Sequence, residues 1–443
     1  MSEILSEKQK LALNNFNSGN NIFLTGPGGS GKTFLIKKIV KICNEKKLNS
    51  QVCALTGCAA VLLECNAKTI HSWSGLKIPR GDSDDIIRRI CRDEQSSPRR
   101  NRGVLQKRWR DIDVLIIDEV SMMSKKIFDI LNKVAQIFRQ NNRPFGGIQM
   151  VFSGDFFQLS PVGDKLDPES NQYCFESDNW KETFPIAIQL EQIFRQTDKK
   201  YIKALNQIRK GIIKTTPYKL LCSRRIKPDD EIQPTILLPH RKTVDKINSS
   251  ELEKIVEEEK QFEVIEWIDE DKKPSNARVI SPKIIKKELN YLKKSIIAEE
   301  LTKLKKGAKV MCIANIDMDS EKQIVNGSQG IIVDFIGEIP IVRFRNGKER
   351  LIRHHTWTSE KYQWIGIKHI PLILSWAITI HKAQGVTLES AQIDIGSNIF
   401  APGQIYVALS RVKTIDGLYL LAFDASKISA HPKVKMFYEN LSL

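Results

Sequence analysis

The chain has 443 residues, 41% hydrophobic and 27% charged, with 69 Lys and Arg against 52 Asp and Glu for a net charge of +17. That composition excludes a disordered chain and, at roughly 150 residues per domain, leaves room for about three domains. No apolar run is long enough to span a bilayer and charge enters too early for a secretory signal, so an intracellular, soluble enzyme of the cytoplasm or nucleus is expected.

The first predicted elements are a short apolar strand, Asn21 to Thr25, and a helix from about Phe34 to Val40. Between them lies Gly26-Pro27-Gly28-Gly29-Ser30-Gly31-Lys32-Thr33. Strand, glycine loop and helix in this order aim backbone N–H groups and the positive end of a helix at one point, which suits a polyanion. Lys32 is expected to reach the β- and γ-phosphates of a nucleotide, and the Thr33 hydroxyl to hold magnesium. A second buried strand, Val52 to Gly57, follows, and then Thr69-Ile70-His71-Ser72-Trp73. Basic residues crowd the next segment: Arg88, Arg89, Arg92, Arg99, Arg100, Arg102, Lys107, Arg108 and Arg110, against only Asp93, Glu94 and Asp111. Such a patch suits phosphates.

Val114-Leu115-Ile116-Ile117-Asp118-Glu119 reads as a strand buried on both faces, with two carboxylates at its C-terminal end, where open α/β sheets place ligands. Asp118 is expected to hold magnesium, and Glu119 to orient and deprotonate the attacking water. Gln149 to Asp155 gives another strand, with Gln158 just past its end. Beyond Gly211 the α/β pattern restarts with Thr235 to Leu238 and a following helix. From Gly307 to about Ile367 the period changes to short strands split at Asn326-Gly327, Gly337 and Asn346-Gly347, which predicts a small β barrel or sandwich. Apolar α/β segments then return at Ile370 to Ile380, Ala391 to Ile395 and Leu418 to Ala422. The eight cysteines form no C-x-x-C pair and are expected to be free thiols, and His354-His355, on a strand, are expected to point opposite ways rather than share a metal.

Taken together, these segments resemble superfamily-one DNA helicases of the RecD-like branch, most closely the PIF-one family. The resemblance rests on GPGGSGKT at 26 to 33, TGCAA at 56 to 60, TIHSW at 69 to 73, IIDEVSMM at 116 to 123 and PFGGIQMVFSGDFFQLSPV at 144 to 162. It continues with LEQIFRQ at 190 to 196, LNQIRKG at 205 to 211, VNGSQGIIVDF at 325 to 335, SWAITIHKAQGVTL at 375 to 388 and YVALSRV at 406 to 412. One departure is Ser160, where the family often has a second proline.

The resemblance implies an α/β fold with two RecA-like P-loop domains, a small wedge insertion in the first and an SH3-like β insertion in the second. The expected boundaries are 1–65 with 111–212 for the first RecA-like domain and 66–110 for the basic wedge. The second domain is expected at 213–255 with 368–443, and its β insertion at 256–367. Gln9 is similar to the glutamine that reads adenine, Gln158 to the γ-phosphate sensor, and Arg195 and Arg411 to the arginines that reach ATP; Gly385 is expected beside the nucleotide. Thr56, Gly57, His71, Ser72, Thr379, His381 and Lys382 resemble surfaces that touch single-stranded DNA, with His71 and Phe156 as stacking or wedging candidates. The implied activity is ATP- and Mg2+-dependent 5′-to-3′ unwinding of DNA by a monomer, with single-stranded DNA and single/double-strand junctions as partners and no membrane. A DNA-stimulated translocase that does not unwind, and an RNA-directed relative, stay open, because nothing in the motifs reads the 2′-hydroxyl. No family extension for targeting is expected.

Overall fold

Strands without polar alternation need cover on both faces, and the chain supplies it twice. In the computed structural model the described residues are 5–63, 65–76, 81–96, 103–164, 166–228, 232–271, 281–296, 298–316, 324–359, 362 and 364–441. The first lobe is built on a six-stranded parallel sheet in the order Lys68–Thr69, Ser50–Ala54, Val114–Asp118, Gln149–Ser153, Ile22–Thr25, Ile186–Gln189. Alternate side chains of one strand feed opposite cores, as a period of two dictates. Leu115 and Ile117 join the cluster of Phe23, Phe128, Phe152 and Trp180, while Val114 and Ile116 join that of Leu24, Leu35, Ile36 and Val151. Burying each such side chain contributes about 1.5–3 kcal/mol. The helix Lys125–Arg139 covers the first of these faces; its N-cap Ser124 accepts from the Ile127 N–H, and Phe128, Leu131, Ala135 and Phe138 are buried.

The basic segment is less separate than expected. Lys68–Thr69 pairs with Ser50–Ala54 at the edge of the first sheet, so the boundary expected after residue 65 falls inside that sheet. The helices Ser83–Ser96 and Val104–Asp111 place Ile86, Ile87, Ile90 and Trp109 in the first lobe's own core, and Trp109 packs edge-on against Trp73 at 4.6 Å. Arg88, Arg89, Arg92, Lys107 and Arg110 face solvent. Arg99, Arg100 and Arg102 lie outside the described residues.

The second lobe holds a four-stranded parallel sheet, Ala377–Thr379, Thr235–Leu238, Ala391–Ile395, Leu418–Phe423. The helix Lys199–Arg209, expected in the first domain, packs Tyr201, Leu205 and Ile208 into this lobe's core beside Ile393 and Leu409. Between the lobe's first two segments in sequence comes the β insertion, an antiparallel sheet ordered Glu349–Leu351, Ile339–Phe344, Gln329–Ile336, Lys309–Cys312, Leu372–Leu374. A three-stranded sheet, a two-stranded one and the helix Pro282–Ser295 accompany it. Gly327, Gly337 and Gly347 all have positive φ at the expected turns.

The apolar run Ile370 to Ile380 does not return to the second lobe in one piece. Leu372–Leu374 joins the insertion's sheet and Ala377–Thr379 the parallel one. Ser375 is the switch point, its N–H donating to Lys309 O at 2.9 Å and its carbonyl accepting from Thr235 Oγ1 at 2.8 Å. The last helix, Pro432–Leu441, crosses back to the first lobe. Its Phe437 stacks on Phe175 at 4.4 Å, and its Tyr438 hydroxyl lies 2.5 Å from Thr25 Oγ1. Thr25 also receives the Leu190 N–H on its carbonyl at 2.8 Å.

Candidate functional site

The glycine loop leaves the strand Ile22–Thr25 and closes on the helix Lys32–Glu45. Gly26, Gly29 and Gly31 have φ of +140°, +80° and +86°, and side chains there have no room: a Cβ would stand 2.4 Å from Leu190 O at Gly26 and 2.5 Å from Arg195 Cβ at Gly29. The helix opens with Gly31 as its N-cap, without a side-chain cap and without an acid in the first turn. Its N–H groups and the buried Ser30 hydroxyl, which has no partner, are suited to phosphate oxygens. Lys32 Nζ donates to Gly26 O at 2.7 Å and Pro27 O at 3.1 Å. Burial lowers its pKa against the pull of Asp155, Glu119 and Asp118.

Asp118 ends the strand Val114–Asp118, and Glu119 follows in a left-handed conformation with φ 55° and ψ 38°. For a side chain with a Cβ that is a strained position of the kind concentrated at functional sites. Burial raises the Asp118 carboxyl above its usual range. Burial, with Asp118 adding to it, raises Glu119 to about 6, while Lys32, Arg411 and a hydrogen bond from Gln384 hold the rise back.

The second lobe closes the site from the other side. Arg411 donates from Nε to Val407 O at 2.9 Å and from Nη2 to Ser410 Oγ at 2.7 Å. Burial, then Arg195, depresses it to about 9. Arg195 donates to Ser410 O at 3.1 Å, and burial lowers its pKa too. Both guanidinium groups point at the loop, with Arg411 Nη2 3.3 Å and Arg195 Nη1 3.6 Å from where a Cβ on Gly28 would stand. Gln9, Gly28 to Thr33, Asp118, Glu119, Gln158, Arg195, Gly385 and Arg411 together line one cavity of about 450 Å³ between the lobes. Gly26 and Pro27 form the root of the same loop. Gln9 is fixed by a capping box with Ser6, leaving its amide nitrogen beside Gly31.

Three buried cations, Lys32, Arg195 and Arg411, face two carboxylates here, and each is pushed toward losing its proton; a polyanion would relieve all three. The oxygens fit magnesium as well. Among the described residues no group of three metal ligands occurs, and magnesium is a hard cation that takes one or two carboxylates and completes its shell with phosphate oxygens and water. Thr33 and Asp118 supply protein oxygens at the mouth of the phosphate loop.

The chain is similar to known proteins. A family model described as PIF1-like helicase matches residues 4–218, and one described as the DNA helicase Pif1 2B domain matches 288–335. The crystal structure of Pif1 helicase from Candida albicans is 33% identical, with 99% of both chains covered and a TM-score of 0.73. The chain belongs to the PIF1-like helicase family. The chain is also similar to a Bacteroides Pif1 helicase solved in complex with ADP-AlF3 and ssDNA, at 27% identity with 99% of this chain and 97% of that one covered and a TM-score of 0.65. The curated ATP-dependent DNA helicase PIF1 of Homo sapiens is 33% identical over 99% of this chain, which spans 64% of that relative's length. The two parallel-sheet lobes are thus the RecA-like pair of the family.

In this PIF1-like chain the nucleic-acid candidates are scattered around the C-terminal ends of the strands of both sheets. Thr56 Oγ1 accepts the Ala59 N–H at 3.2 Å, next to Gly57. His71 and Ser72 sit on the short helix Ile70–Ser74, His71 partly buried and Ser72 exposed; burial lowers the His71 pKa, keeping the ring neutral. The insertion reaches this segment, where Tyr291 OH accepts the Thr69 N–H at 3.2 Å. Thr379 is buried and its Oγ1 accepts the Lys382 N–H at 3.1 Å, with His381 and Lys382 half-buried beside it. Phe156 is a correction. It is 1% exposed, locked among Phe23, Phe175, Trp180 and Phe437, because the returning C-terminal helix covers it, and it cannot stack on a base. His354 and His355 face different rings, Phe262 and Trp357. Seven described cysteines are free.

Three residues escaped the sequence reading. Phe194, 51% exposed, lines the cavity next to Gly31. Gln384 donates to Glu119 Oε2 at 3.1 Å across the lobe boundary, and the Tyr406 hydroxyl accepts the Gly28 N–H at 2.8 Å. The last two lie inside the segments SWAITIHKAQGVTL and YVALSRV, but only the closed arrangement of the lobes says what they meet.

Proposed function

We propose that the chain is an ATP-dependent DNA helicase that moves 5′ to 3′ on single-stranded DNA and unwinds the duplex ahead of it. The observation that carries this reading is the shared cavity, in which Lys32, Asp118 and Glu119 of one lobe meet Arg411 of the other. A phosphate site within one lobe would serve any phosphotransferase, whereas one completed by a second lobe couples nucleotide turnover to relative motion. The family relatives named as helicases, and the net charge of +17, fit a nucleic-acid track.

In this mechanism the loop N–H groups and Lys32 hold the phosphates, and Thr33 and Asp118 would hold magnesium, which would supply positive charge against that of the phosphates. Gln9 and Phe194 flank the base. Glu119, kept charged at neutral pH but raised to about 6, is a base matched to taking a proton from water. Gln158 senses the γ-phosphate, Gln384 orients Glu119, and Arg195 with Arg411 offsets charge on the transferred phosphoryl group, a contribution of about a thousandfold or more in rate. Each lobe grips the strand in turn through the Thr56–Ser72 and Thr379–Lys382 surfaces. Splitting a base-pair step costs about 1.4 kcal/mol on average, so the solvent-facing arginines near Arg88 need only bias a fluctuating junction.

The test is strand displacement on 5′-tailed, 3′-tailed and blunt duplexes, with DNA and RNA tails. Unwinding confined to the 5′ DNA tail, lost in Lys32→Ala and in Glu119→Gln, is expected, with Glu119→Gln still binding ATP. Turnover at wild-type rate in either variant overturns the site assignment, and unwinding from the 3′ tail overturns the polarity.

A further inference from the structure

One ring cluster of the second lobe lies outside the cavity between the lobes and includes His381 of the proposed Thr379–Lys382 strand-contact surface. His240, Phe400 and His381 follow three adjacent parallel strands, Thr235–Leu238, Ala391–Ile395 and Ala377–Thr379, at their C-terminal ends. The Phe400 ring stacks on His240 at 5.2 Å and 22°, and lies nearly parallel to His381 at 6.4 Å and 15°. It is nevertheless 60% exposed.

That exposure is built, not slack. Ile399 is buried in the lobe's core, and the fully buried Gln404 takes the Phe400 N–H at 3.1 Å and the Ala401 N–H at 3.3 Å on its Oε1. The backbone is pinned on both sides, so the ring is held outward in one place. A fixed aromatic surface loses little entropy on contact, which is the property of a preorganised binding group. Cations stand beside it. Lys242 is exposed on the first turn of the helix that follows His240, and Lys382 follows His381. From Lys382 a crevice of about 190 Å³ runs along Val244 and Asn248 of that helix to Lys303 of the insertion.

We propose that Phe400, backed by His240 and His381, is a stacking platform for one unpaired base of the tracked strand, and that it adds a base contact to the grip of the Thr379–Lys382 surface. Every base has a π-face, so a ring flanked by cations holds single strands without reading sequence. Burial lowers the pKa of His381, which leaves a neutral ring to stack. The inference rests on the reading of the chain as a single-strand translocase.

The experiment measures the affinity of the full chain for a fluorescein-labelled oligo-dT by anisotropy, in wild type, Phe400→Ala and Phe400→Tyr, each repeated with an abasic oligonucleotide of the same length. Phe400→Ala is expected to weaken oligo-dT binding about 5- to 150-fold, Phe400→Tyr to retain it, and all three to bind the abasic strand alike. An unchanged thermal midpoint checks that the exposed side chain was removed without unfolding. Wild-type affinity in Phe400→Ala, or the same loss on the abasic strand, overturns the platform and leaves the translocase reading standing. Failure of the wild type to bind any single strand overturns both. Loss on Phe400→Tyr equal to that on Phe400→Ala would assign the ring to an apolar protein contact instead.

Discussion

Arg209 at the end of the helix Lys199–Arg209 holds Asp155 in a buried two-point contact, Nε to Oδ2 at 2.8 Å and Nη2 to Oδ1 at 2.7 Å. The side chains are 4% and 0% exposed, and the guanidinium lies over Phe157 at 4.6 Å and Tyr438 at 5.2 Å. Burial acts against the Arg209 charge, but the Asp155 contact outweighs it and keeps the guanidinium protonated. Replacing Arg209 with Leu leaves the buried Asp155 without its ion-pair partner, with the Phe157 N–H and the Tyr438 hydroxyl still donating to it, at an expected cost of about 3–5 kcal/mol. Hydrogen exchange of the Gln149–Ser153 amides reads that cost directly, as a fall in protection of about a hundred- to a few-thousand-fold. Adding Asp155→Asn removes the stranded charge, so the double variant should be more stable than Arg209→Leu alone. A cost below about 1 kcal/mol for the single variant, or strict additivity in the double, would refute the argument that this pair fastens the second lobe to the loop bearing Gln158.

Other outcomes follow from the cavity. ATP turnover should fall as pH drops through about 6, because Glu119 acts in its charged form and its folded pKa is raised to about 6; Gln384→Ala, which removes a hydrogen bond favouring the charged form, should move that acid limb upward in a pH–rate profile, and a limb unmoved by the change would exclude the contact from catalysis. Gly403→Val should reduce turnover by at least about tenfold while leaving ATP affinity within a few-fold, since a Cβ there would stand 2.6 Å from the Phe157 and Gln158 carbonyls and would push Arg411 off the phosphate loop; wild-type turnover would show that the lobes need not close this far. The tenfold figure equals about 1.4 kcal/mol of lost transition-state contact.

The parallel sheets were legible because strands such as Val114–Asp118 are apolar on both faces, and the phosphate loop because glycine positions with positive φ leave a visible spacing. Boundaries were less legible. Lys68–Thr69 is a two-residue edge strand with no apolar signature, and the Ile370 to Ile380 run gave no sign of the Ser375 switch because both sheets it serves want the same residue types. Phe156 misled for a related reason: what buries it is a helix nearly 300 residues downstream, a contact that local pattern cannot carry. Gln384 and Tyr406 stand inside segments read from sequence, but their partners Glu119 and Gly28 belong to the opposite lobe.

Leu190, where the chain sets out for the second lobe, and Tyr438, where it comes home, are both tied to Thr25, and the next residue begins the phosphate loop. Both of these crossings are therefore anchored one residue before the phosphate loop. If the lobes swing as proposed, a small shift of Arg411 against the loop is magnified with distance from Thr25, so the outlying β insertion travels furthest for the smallest change around the nucleotide.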